Sequence, residues 1–167
     1  MRIIAVAAIS INGKITSGSH FLSNWTSRDD KIFLRSMLNK CDVIIIGNNT
    51  YKAAQKNLSK RNCIVLTRSL RKTNKKTDNQ VYCNPKKGEL LGLINKHKTA
   101  VILGGAQTYT YCLENGLLNE LYLTIEPIIF GRGLDIFKSK TIEMMRFKLV
   151  SIKKLNESGS ILLHYKK

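Results

Sequence analysis

The sequence predicts an α/β domain whose sheet is mostly parallel, with an antiparallel edge at the C-terminus. Apolar runs of strand length alternate with amphipathic stretches over most of the chain, a pattern typical of strand–helix–strand units. Two strands joined by a glycine-containing turn then close the sequence, as in a hairpin. With 167 residues, 43% of them hydrophobic, the chain can bury a real core. We therefore expect a single domain over residues 1–167.

The first half of the chain is predicted to hold three strands and two helices. Residues 2–9 form a nearly continuous apolar run, as expected of a strand buried on both faces, and a polar loop follows over 11–24. Ser27 can cap a helix over 28–39, because two acidic residues fall in its first turn, where the helix dipole favours them. Further along we expect a strand over 42–46, a short helix over 50–56 and a strand over 62–67.

The second half is predicted as further strands and helices that end in a hairpin. A helix over 106–114 stops at Asn115 and Gly116, a common C-terminal signal. Residues 156–160, with Gly159, form the turn of the hairpin. The remaining elements are a basic loop over 68–79, strands over 80–83, 99–103, 120–125, 147–154 and 161–165, and a helix over 87–98.

The chain carries 28 Lys and Arg residues against 11 Asp and Glu residues, a formal charge of +17. This charge suits a solvated lysine-rich surface, or a positive field that attracts phosphorylated ligands. The densest basic stretch, residues 60–76, holds no aromatic side chain. Because single-stranded nucleic acid needs such side chains to stack on, nucleic acid ranks last among the partners that the charge suggests.

The cysteines and the apolar runs indicate a cytoplasmic protein without a metal site or a membrane span. The cysteines are Cys41, Cys63, Cys83 and Cys112. No two have the Cys-x-x-Cys spacing of zinc ligands, and most lie in apolar runs, where reduced cysteine behaves as a small hydrophobe. The apolar runs are shorter than the roughly 18 residues of a membrane helix, and the N-terminus lacks the cleavage site of a signal peptide.

Three predicted strand ends carry residues that suit a phosphate. The clearest is VILGGAQTYTYC at 101–112, where a strand runs into two glycines and then a helix. Glycine lets the backbone approach a ligand, and a helix N-terminus offers free N–H groups to a phosphate, although a tight strand-to-helix turn also needs glycine. The others are IIIGNNTYKA at 44–53 and IVLTRS at 64–69. Together they predict a nucleotide-binding crevice at the carboxyl edge of the sheet.

The segment NWTSRDDKIF at 24–33 places two acids next to the single tryptophan of the chain. Asp29 and Asp30 differ in helical phase by about 100°, so they are not expected to share an environment. Asp29 is predicted to be exposed. Asp30 can instead face a pocket, where burial would raise its pKa and let it hydrogen-bond an amidine-like ring edge. The histidines show no metal-ligand spacing, and no hydrolytic triad is evident.

Taken in order, six segments resemble the dihydrofolate reductase-like superfamily, over nearly the whole chain. They read AVAAISINGKI, W-x4-D, IIGNNTY, R-NCIVLTRS, VILGGAQTY and ELYLTIEPIIFGRG. The resemblance implies a three-layer α/β/α fold with a mostly parallel central sheet, and NADPH as cofactor. One branch of the superfamily reduces dihydrofolate, and the other reduces a phosphoribosylamino-pyrimidine in riboflavin synthesis. EPIIFGRG is similar to the riboflavin branch, whereas the positions of Asp30, Arg61 and Thr124 match the folate branch.

The resemblance also implies roles for individual residues. Asp30 would anchor the 2-amino edge of a pterin, Thr124 would support that acid, and Arg61 would hold the glutamate tail of folate. Asn48 stands where many folate reductases have a phosphate-binding arginine, so Arg68 would supply that charge instead. The implied catalytic residues are Asp30, Thr124 and Trp25, and the implied substrate-binding residues are Ala8, Asp30, Leu34, Arg61, Leu103 and Thr124. The implied cofactor-binding residues are Ala8, Ile15, Gly47, Asn48, Thr50, Leu66, Thr67, Arg68, Ser69, Leu103, Gly104, Gly105, Ala106, Gln107, Thr108 and Tyr109.

On this basis we expect an NADPH-dependent reductase that converts dihydrofolate to tetrahydrofolate, as a monomer or a homodimer. The loop over 10–24 would act as a lid. The riboflavin-branch reaction is the first alternative. A basic nucleic-acid-binding domain on the same fold is the remote one.

Overall fold

The computed structural model describes residues 1–18 and 24–167. Part of the loop that is predicted to form a lid, and His20 with it, therefore lies outside the described residues. The strands are β1 (Arg2–Ser10), β2 (Lys14–Thr16), β3 (Val43–Gly47), β4 (Cys63–Leu66), β5 (Asn74–Thr77), β6 (Gln80–Cys83), β7 (Thr99–Gly104), β8 (Glu120–Glu126), β9 (Leu134–Asp135), β10 (Lys148–Lys154) and β11 (Ile161–Lys166). The helices are α1 (Arg28–Lys40), α2 (Asn48–Leu58), α3 (Leu90–Ile94) and α4 (Ala106–Glu114), and Pro85–Lys87 forms one 3-10 turn.

Nine strands form one sheet in the order β10-β11-β8-β1-β7-β3-β4-β6-β5. The six strands from β8 to β6 are parallel, whereas β11, β10 and β5 join by antiparallel pairing. A mostly parallel sheet with an antiparallel C-terminal edge is what the sequence predicts, and it is confirmed. Because the six central strands run the same way, their carboxyl ends share one edge of the sheet.

The core consists of two apolar layers, one on each face of the sheet. On one face α1 and α2 pack through Leu38, Tyr51 and Leu58, and on the other α3 and α4 pack through residues such as Ile94 and Cys112. Neighbouring residues of β1 divide between the two layers, because successive side chains of a strand point to opposite faces. The predicted three-layer α/β/α arrangement is thus confirmed.

Helix α1 begins as the sequence predicts. Ser27 is the N-cap residue, and its hydroxyl accepts a 3.2 Å hydrogen bond from the backbone N–H of Asp30. Asp29 and Asp30 fall in the first turn and Lys40 in the last, which suits the helix dipole at both ends. The helix thereby carries Asp30 to the carboxyl edge of the sheet.

Three short strands, β2, β5 and β9, and the length of two helices differ from the sequence-based expectation. Strand β5 lies within the stretch predicted as a basic loop, and β2 lies within the predicted polar loop. All four residues of β5 are exposed at the sheet edge, so no apolar alternation reveals them. Helix α3 is shorter than the predicted 87–98, and the left-handed φ of 73° at Gly88 accounts for its later start. Helix α2 is longer than the predicted 50–56.

No helix within the described part of the chain is long and apolar enough to cross a membrane. The four cysteines are free thiols, and burial raises the pKa of Cys63 to about 12 and that of Cys83 to about 11. Residues 1–18 and 24–167 contain no cluster of three or more His, Cys, Asp or Glu that could hold a metal ion.

Candidate active site

Asp30 is a buried carboxyl on the wall that α1 presents to the carboxyl edge of the sheet. Asp30 is only 6% exposed to solvent. Burial raises its pKa, hydrogen bonds with Thr124 and Thr26 oppose that effect, and the charge of Glu126 adds to it. Desolvation therefore dominates, and the protonated form of Asp30 is favoured more than in an exposed aspartate. Asp29, one residue earlier, is half-exposed.

Glu126 is a second buried acid at the same place. It is the last residue of β8 and 2% exposed. Its Oε1 accepts a 2.8 Å hydrogen bond from the backbone N–H of Ser27, and its Oε2 accepts a 2.5 Å bond from Ser160 Oγ. The sequence analysis missed Glu126, Thr26 and Ser160. A signal was available for Glu126, since it alternates with Thr124 along β8 and therefore shares its face.

Strands β1 and β7 separate as they approach the carboxyl edge. Their register runs from Arg2 opposite Thr99 only to Ala5 opposite Ile102, whereas β1 stays paired with β8 as far as Ser10 opposite Glu126. The chain leaves β1 through α1 on one face and leaves β7 through α4 on the other. Where two neighbouring strands connect to helices on opposite faces of a sheet, a crevice opens at the carboxyl ends of the strands.

The walls of this crevice include several of the predicted residues. Ala8 lies opposite Thr124 in the β1–β8 register, beside the threonine that hydrogen-bonds Asp30. Leu103 belongs to the same apolar layer as α1 and is half-buried. At the base of the crevice, the Tyr109 hydroxyl donates a 2.6 Å hydrogen bond to the carbonyl of Val6. Burial raises the pKa of Tyr109, and the negative charge of Asp30 contributes to that rise.

The N-termini of α2 and α4 meet at the same edge. Gly47 caps α2 and Gly105 caps α4, and neither helix start has a side-chain cap. A Cβ added at Gly47 would lie 2.8 Å from Thr108 Oγ1, and one added at Gly105 would lie 3.1 Å from Thr50 Oγ1. The peptide bond between Gly104 and Gly105 is cis. No side chain caps the free backbone N–H groups at either helix start, and such N–H groups can bind phosphate. Asn48, Ala106 and Gln107 are the remaining predicted residues of these two helix starts.

The third predicted strand end is the turn after β4. Leu66 is buried, the hydroxyls of Thr67 and Ser69 lie 3.0 Å apart, and Arg68 is exposed. Asn84 fixes this turn from β6, because its Nδ2 donates to the carbonyls of residues 68 and 70 at 3.2 and 2.8 Å. Arg68 is thus carried on a braced turn at the carboxyl edge of the sheet.

Arg61 lies apart from the crevice. Its guanidinium donates to the Leu38 carbonyl at 2.7 Å and to Asn39 Oδ1 at 2.6 Å, at the C-terminus of α1. Asp30 is in the first turn of that helix, about 12 Å away along its axis at about 1.5 Å per residue. A cavity of about 300 Å³ opens beside Arg61 at the amino edge of the sheet, away from the crevice.

Three further predicted residues surround the Asp30 end of the site. Leu34 is half-buried on α1, one turn after Asp30. Ile15 is half-buried on β2, which pairs with β9 outside the main sheet. Trp25 precedes the α1 cap and contacts Phe130 edge to face, with ring centroids 5.1 Å apart. Its Nε1 is buried without a hydrogen-bond partner among the described residues.

The family model of dihydrofolate reductase matches residues 2–159. The chain belongs to the dihydrofolate reductase family. The resemblance seen in the sequence is therefore confirmed.

The chain is also similar to individual proteins and solved structures. An uncharacterized protein of Bacillus subtilis (strain 168), YyaP, is 26% identical over 151 residues, which cover 81% of this chain and 80% of that protein. A pyrimidine reductase-like protein from Corynebacterium diphtheriae has a similar structure, with a TM-score of 0.78 and 19% identity over 99% of this chain and 91% of that one. A diaminohydroxyphosphoribosylaminopyrimidine deaminase/5-amino-6-(5-phosphoribosylamino)uracil reductase from Thermotoga maritima gives a TM-score of 0.73 and 17% identity, over 99% of this chain and 56% of that one. At these identities the solved structures show the fold.

Proposed function

We propose that the protein is an NADPH-dependent reductase that adds a hydride to a C=N bond of an aminopyrimidine-containing substrate. The observation that carries this proposal is the position of Asp30. This buried carboxyl of raised pKa lies beside the crevice between β1 and β7. Membership of the family supports the same class of reaction. We propose that residues 1–167 act as one reductase domain.

The residues at the carboxyl edge fit NADPH. The starts of α2 and α4 would hold the pyrophosphate on backbone N–H groups, because no side-chain cap occupies those groups. Arg68, with the neighbouring hydroxyls of Thr67 and Ser69, would hold the 2′-phosphate. When bound, NADPH supplies the hydride of the reaction.

The chain's own residues would position the substrate and assist the proton transfer. Asp30 would hydrogen-bond the polar edge of the pyrimidine ring. Its raised pKa would favour a protonated acid that can donate that bond. Thr124 would orient the Asp30 carboxyl. The walls at Ala8 and Leu103 would keep the reacting carbon close to the nicotinamide and exclude water. Hydride would add to the carbon of the C=N bond, and a proton to its nitrogen.

For the substrate we propose a phosphoribosylamino-pyrimidine, reduced at the opened ribose–nitrogen C=N bond. Two of the similar solved structures are named for pyrimidine reductase activity or for likeness to it. Arg61 already bonds the end of α1, which leaves less of its donor capacity for a glutamate tail. The formal charge of +17 suits a phosphorylated substrate.

Dihydrofolate is the second candidate, and the Asp30–Thr124 pair favours it. An acid that bonds a threonine on the neighbouring strand can hold the 2-amino edge of a pterin. The family model that matches the chain is that of dihydrofolate reductase.

A direct test follows NADPH oxidation by absorbance, with 5-amino-6-(5-phosphoribosylamino)uracil and with dihydrofolate in parallel. We expect turnover with the phosphorylated pyrimidine. Turnover with dihydrofolate alone would favour the second candidate, and turnover with neither would refute both. Cofactor binding is measured separately by the fluorescence of Trp25, the single tryptophan, so loss of binding and loss of turnover are distinguished.

The variant Asp30→Asn separates the two candidates further. A folate reductase should lose turnover by orders of magnitude, because an amide can neither pass a proton to the ring nor balance the charge of the protonated ring. The riboflavin-branch reaction depends less on that acid, so a smaller loss is expected there. In both cases NADPH binding should persist, because Asp30 lies apart from the starts of α2 and α4.

A further inference from the structure

Glu126 ties the active-site end of α1 to two other parts of the chain. One carboxylate oxygen accepts a hydrogen bond from the backbone N–H of Ser27. The other accepts one from the hydroxyl of Ser160, the residue before β11. Ser27 in turn accepts from the backbone N–H of Asp30. A chain of hydrogen bonds therefore runs from Ser160 through Glu126 and Ser27 to Asp30.

The turn before β11 supports this chain. Asn156 Oδ1 accepts from the backbone N–H of Ser160 at 3.1 Å, and its Nδ2 donates to Ser160 Oγ at 3.0 Å. The same Nδ2 lies 3.3 Å from Asp29 Oδ2. The start of α1 therefore has two hydrogen bonds to other parts of the chain, from the Ser27 N–H to Glu126 and from Asn156 to Asp29.

The charge of Glu126 is not needed for these bonds. Both donors are neutral, and the amide of glutamine could accept from the Ser27 N–H and donate to the Ser160 hydroxyl. A buried carboxylate is costly unless a cation pairs with it. In the described part of the chain, Glu126 forms no ion pair with any Lys, Arg or His. A structural role alone would therefore favour glutamine.

Asp30 is the group that this charge acts on. The charged and titratable groups that face it are Glu126 from β8, Lys31 from its own helix, and Tyr109 from α4. Lys31 opposes the effect of Glu126 on the pKa of Asp30, and burial reinforces it. Two negative charges are costly together in a desolvated site, so one acid raises the proton affinity of the other.

We propose that Glu126 is a positioning residue of the reductase: it anchors the first turn of α1, and places a second negative charge beside the Asp30 carboxyl. The anchor fixes where that carboxyl points. The charge keeps Asp30 protonated to a higher pH, and so extends the pH range in which it donates a hydrogen bond. This role rests on the proposed function, in which Asp30 contacts the substrate.

The test compares Glu126→Gln with Asp29→Asn, a matched control that removes the same charge from the neighbouring, half-exposed acid. The titration of the Asp30 carboxyl carbon is followed by NMR in protein labelled at its aspartates, and Asp30→Asn identifies the signal. In Glu126→Gln the Asp30 midpoint should move to lower pH, and the pH at which turnover declines should move with it. In Asp29→Asn both should move much less. Equal movement in the two variants, or none in Glu126→Gln, would overturn the proposal.

Glu126→Ala removes the anchor as well as the charge. Loss of the hydrogen bonds from the Ser27 N–H and the Ser160 hydroxyl should reduce kcat roughly 10- to 100-fold, whereas Glu126→Gln at a pH below the shifted midpoint should recover most of it. A Glu126→Ala enzyme with wild-type kcat would refute the anchoring role.

A last readout needs no turnover. If Glu126→Gln does not fold, Glu126→Ala, which also lacks the charge, carries the same titration test, and the Asp30 midpoint should again move to lower pH. An unchanged midpoint would overturn the proposal. A moved midpoint in a protein that reduces neither substrate would refute the proposed function while leaving the effect of Glu126 on Asp30 intact.

Discussion

The hydroxyl of Tyr109, on α4, donates a 2.6 Å hydrogen bond to the backbone carbonyl of Val6, on β1. Val6 is the residue after Ala5, at which the β1–β7 register ends. Tyr109 therefore satisfies a carbonyl that strand pairing would otherwise satisfy, at the place where the two strands separate. The crevice can open here without leaving a buried carbonyl unpaired, which would be costly.

Tyr109→Phe should destabilise the protein by about 1–3 kcal/mol, because the buried Val6 carbonyl loses its donor. Urea unfolding measures this loss. Tyr111→Phe is the matched control, since its hydroxyl donates to the Pro85 carbonyl at 3.0 Å in a partly buried setting, where water can replace it. Similar losses in the two variants would contradict the role given to Tyr109.

Gly47→Ala should weaken NADPH binding roughly fivefold or more, because forcing an extra methyl into a packed site costs about 1–3 kcal/mol. The new Cβ would lie 2.8 Å from Thr108 Oγ1, so the Thr108 side chain or the start of α4 must shift. The fluorescence of Trp25 measures the affinity. Replacing Thr108 with Ala in the same chain removes the contacting atom and should restore part of the binding.

Gly92→Ala is the control for that substitution. Gly92 lies in α3, and no atom comes within 4 Å of a Cβ built there. This change should leave NADPH binding unaltered and stabilise the fold slightly, since alanine is favoured over glycine in a helix by about 1 kcal/mol. If both variants lost affinity equally, the close approach at Gly47 would not be the cause.

The parts of the site that were predicted from sequence are those that follow local rules. The Ser27 cap with acids in the first turn, and the glycines at the ends of β3 and β7, need only a few neighbouring residues to be recognised. Family resemblance then extended these signals to a fold and a list of residues. The structure puts most of that list at one edge of the sheet, whereas Arg61 lies at the far end of α1.

The features that were missed depend on distant pairings. The bond from Ser27 to Glu126 joins residues 99 positions apart, and that from Tyr109 to Val6 joins residues 103 apart. No spacing pattern in the sequence predicts such pairs. Strand β5 was missed for a different reason: its four exposed polar residues form a strand because β6 offers a free edge.

Arg68→Gln should reduce the preference for NADPH over NADH by at least about tenfold, because a hydrogen bond to a charged group contributes about 1.5–3 kcal/mol. Arg68 is exposed on a turn that Asn84 braces. Dissociation constants for both cofactors measure the preference. Arg71→Gln, which removes an exposed arginine three residues later, should change it little. A loss in the Arg71 variant alone would assign the 2′-phosphate to that residue instead.

Glu120 accepts hydrogen bonds of 2.5 and 2.6 Å from the Arg2 guanidinium, and its Oε2 lies 2.7 Å from His164 Nε2. The bond from Arg2 outweighs burial and lowers the pKa of Glu120 from 4.5 to about 2. Because the folded-state pKa lies below the unfolded-state value, this contribution is present above about pH 4.5 and is lost as pH falls toward 2. It amounts to at most roughly 3 kcal/mol, since half-exposed Arg2 is screened by solvent.

Glu120→Gln should therefore lower the free energy of unfolding at neutral pH and flatten its decline between about pH 5 and pH 2. Chemical denaturation at a series of pH values measures both effects. Glu157→Gln is the control, because the Glu157 side chain is 96% exposed and pairs with the exposed Lys154. If the two variants lost stability with pH in the same way as the wild type, the acid sensitivity of the fold would have to reside elsewhere. A flattened curve in Glu120→Gln alone would place it at the joint between β1, β8 and β11, at the amino end of β1 and away from the crevice.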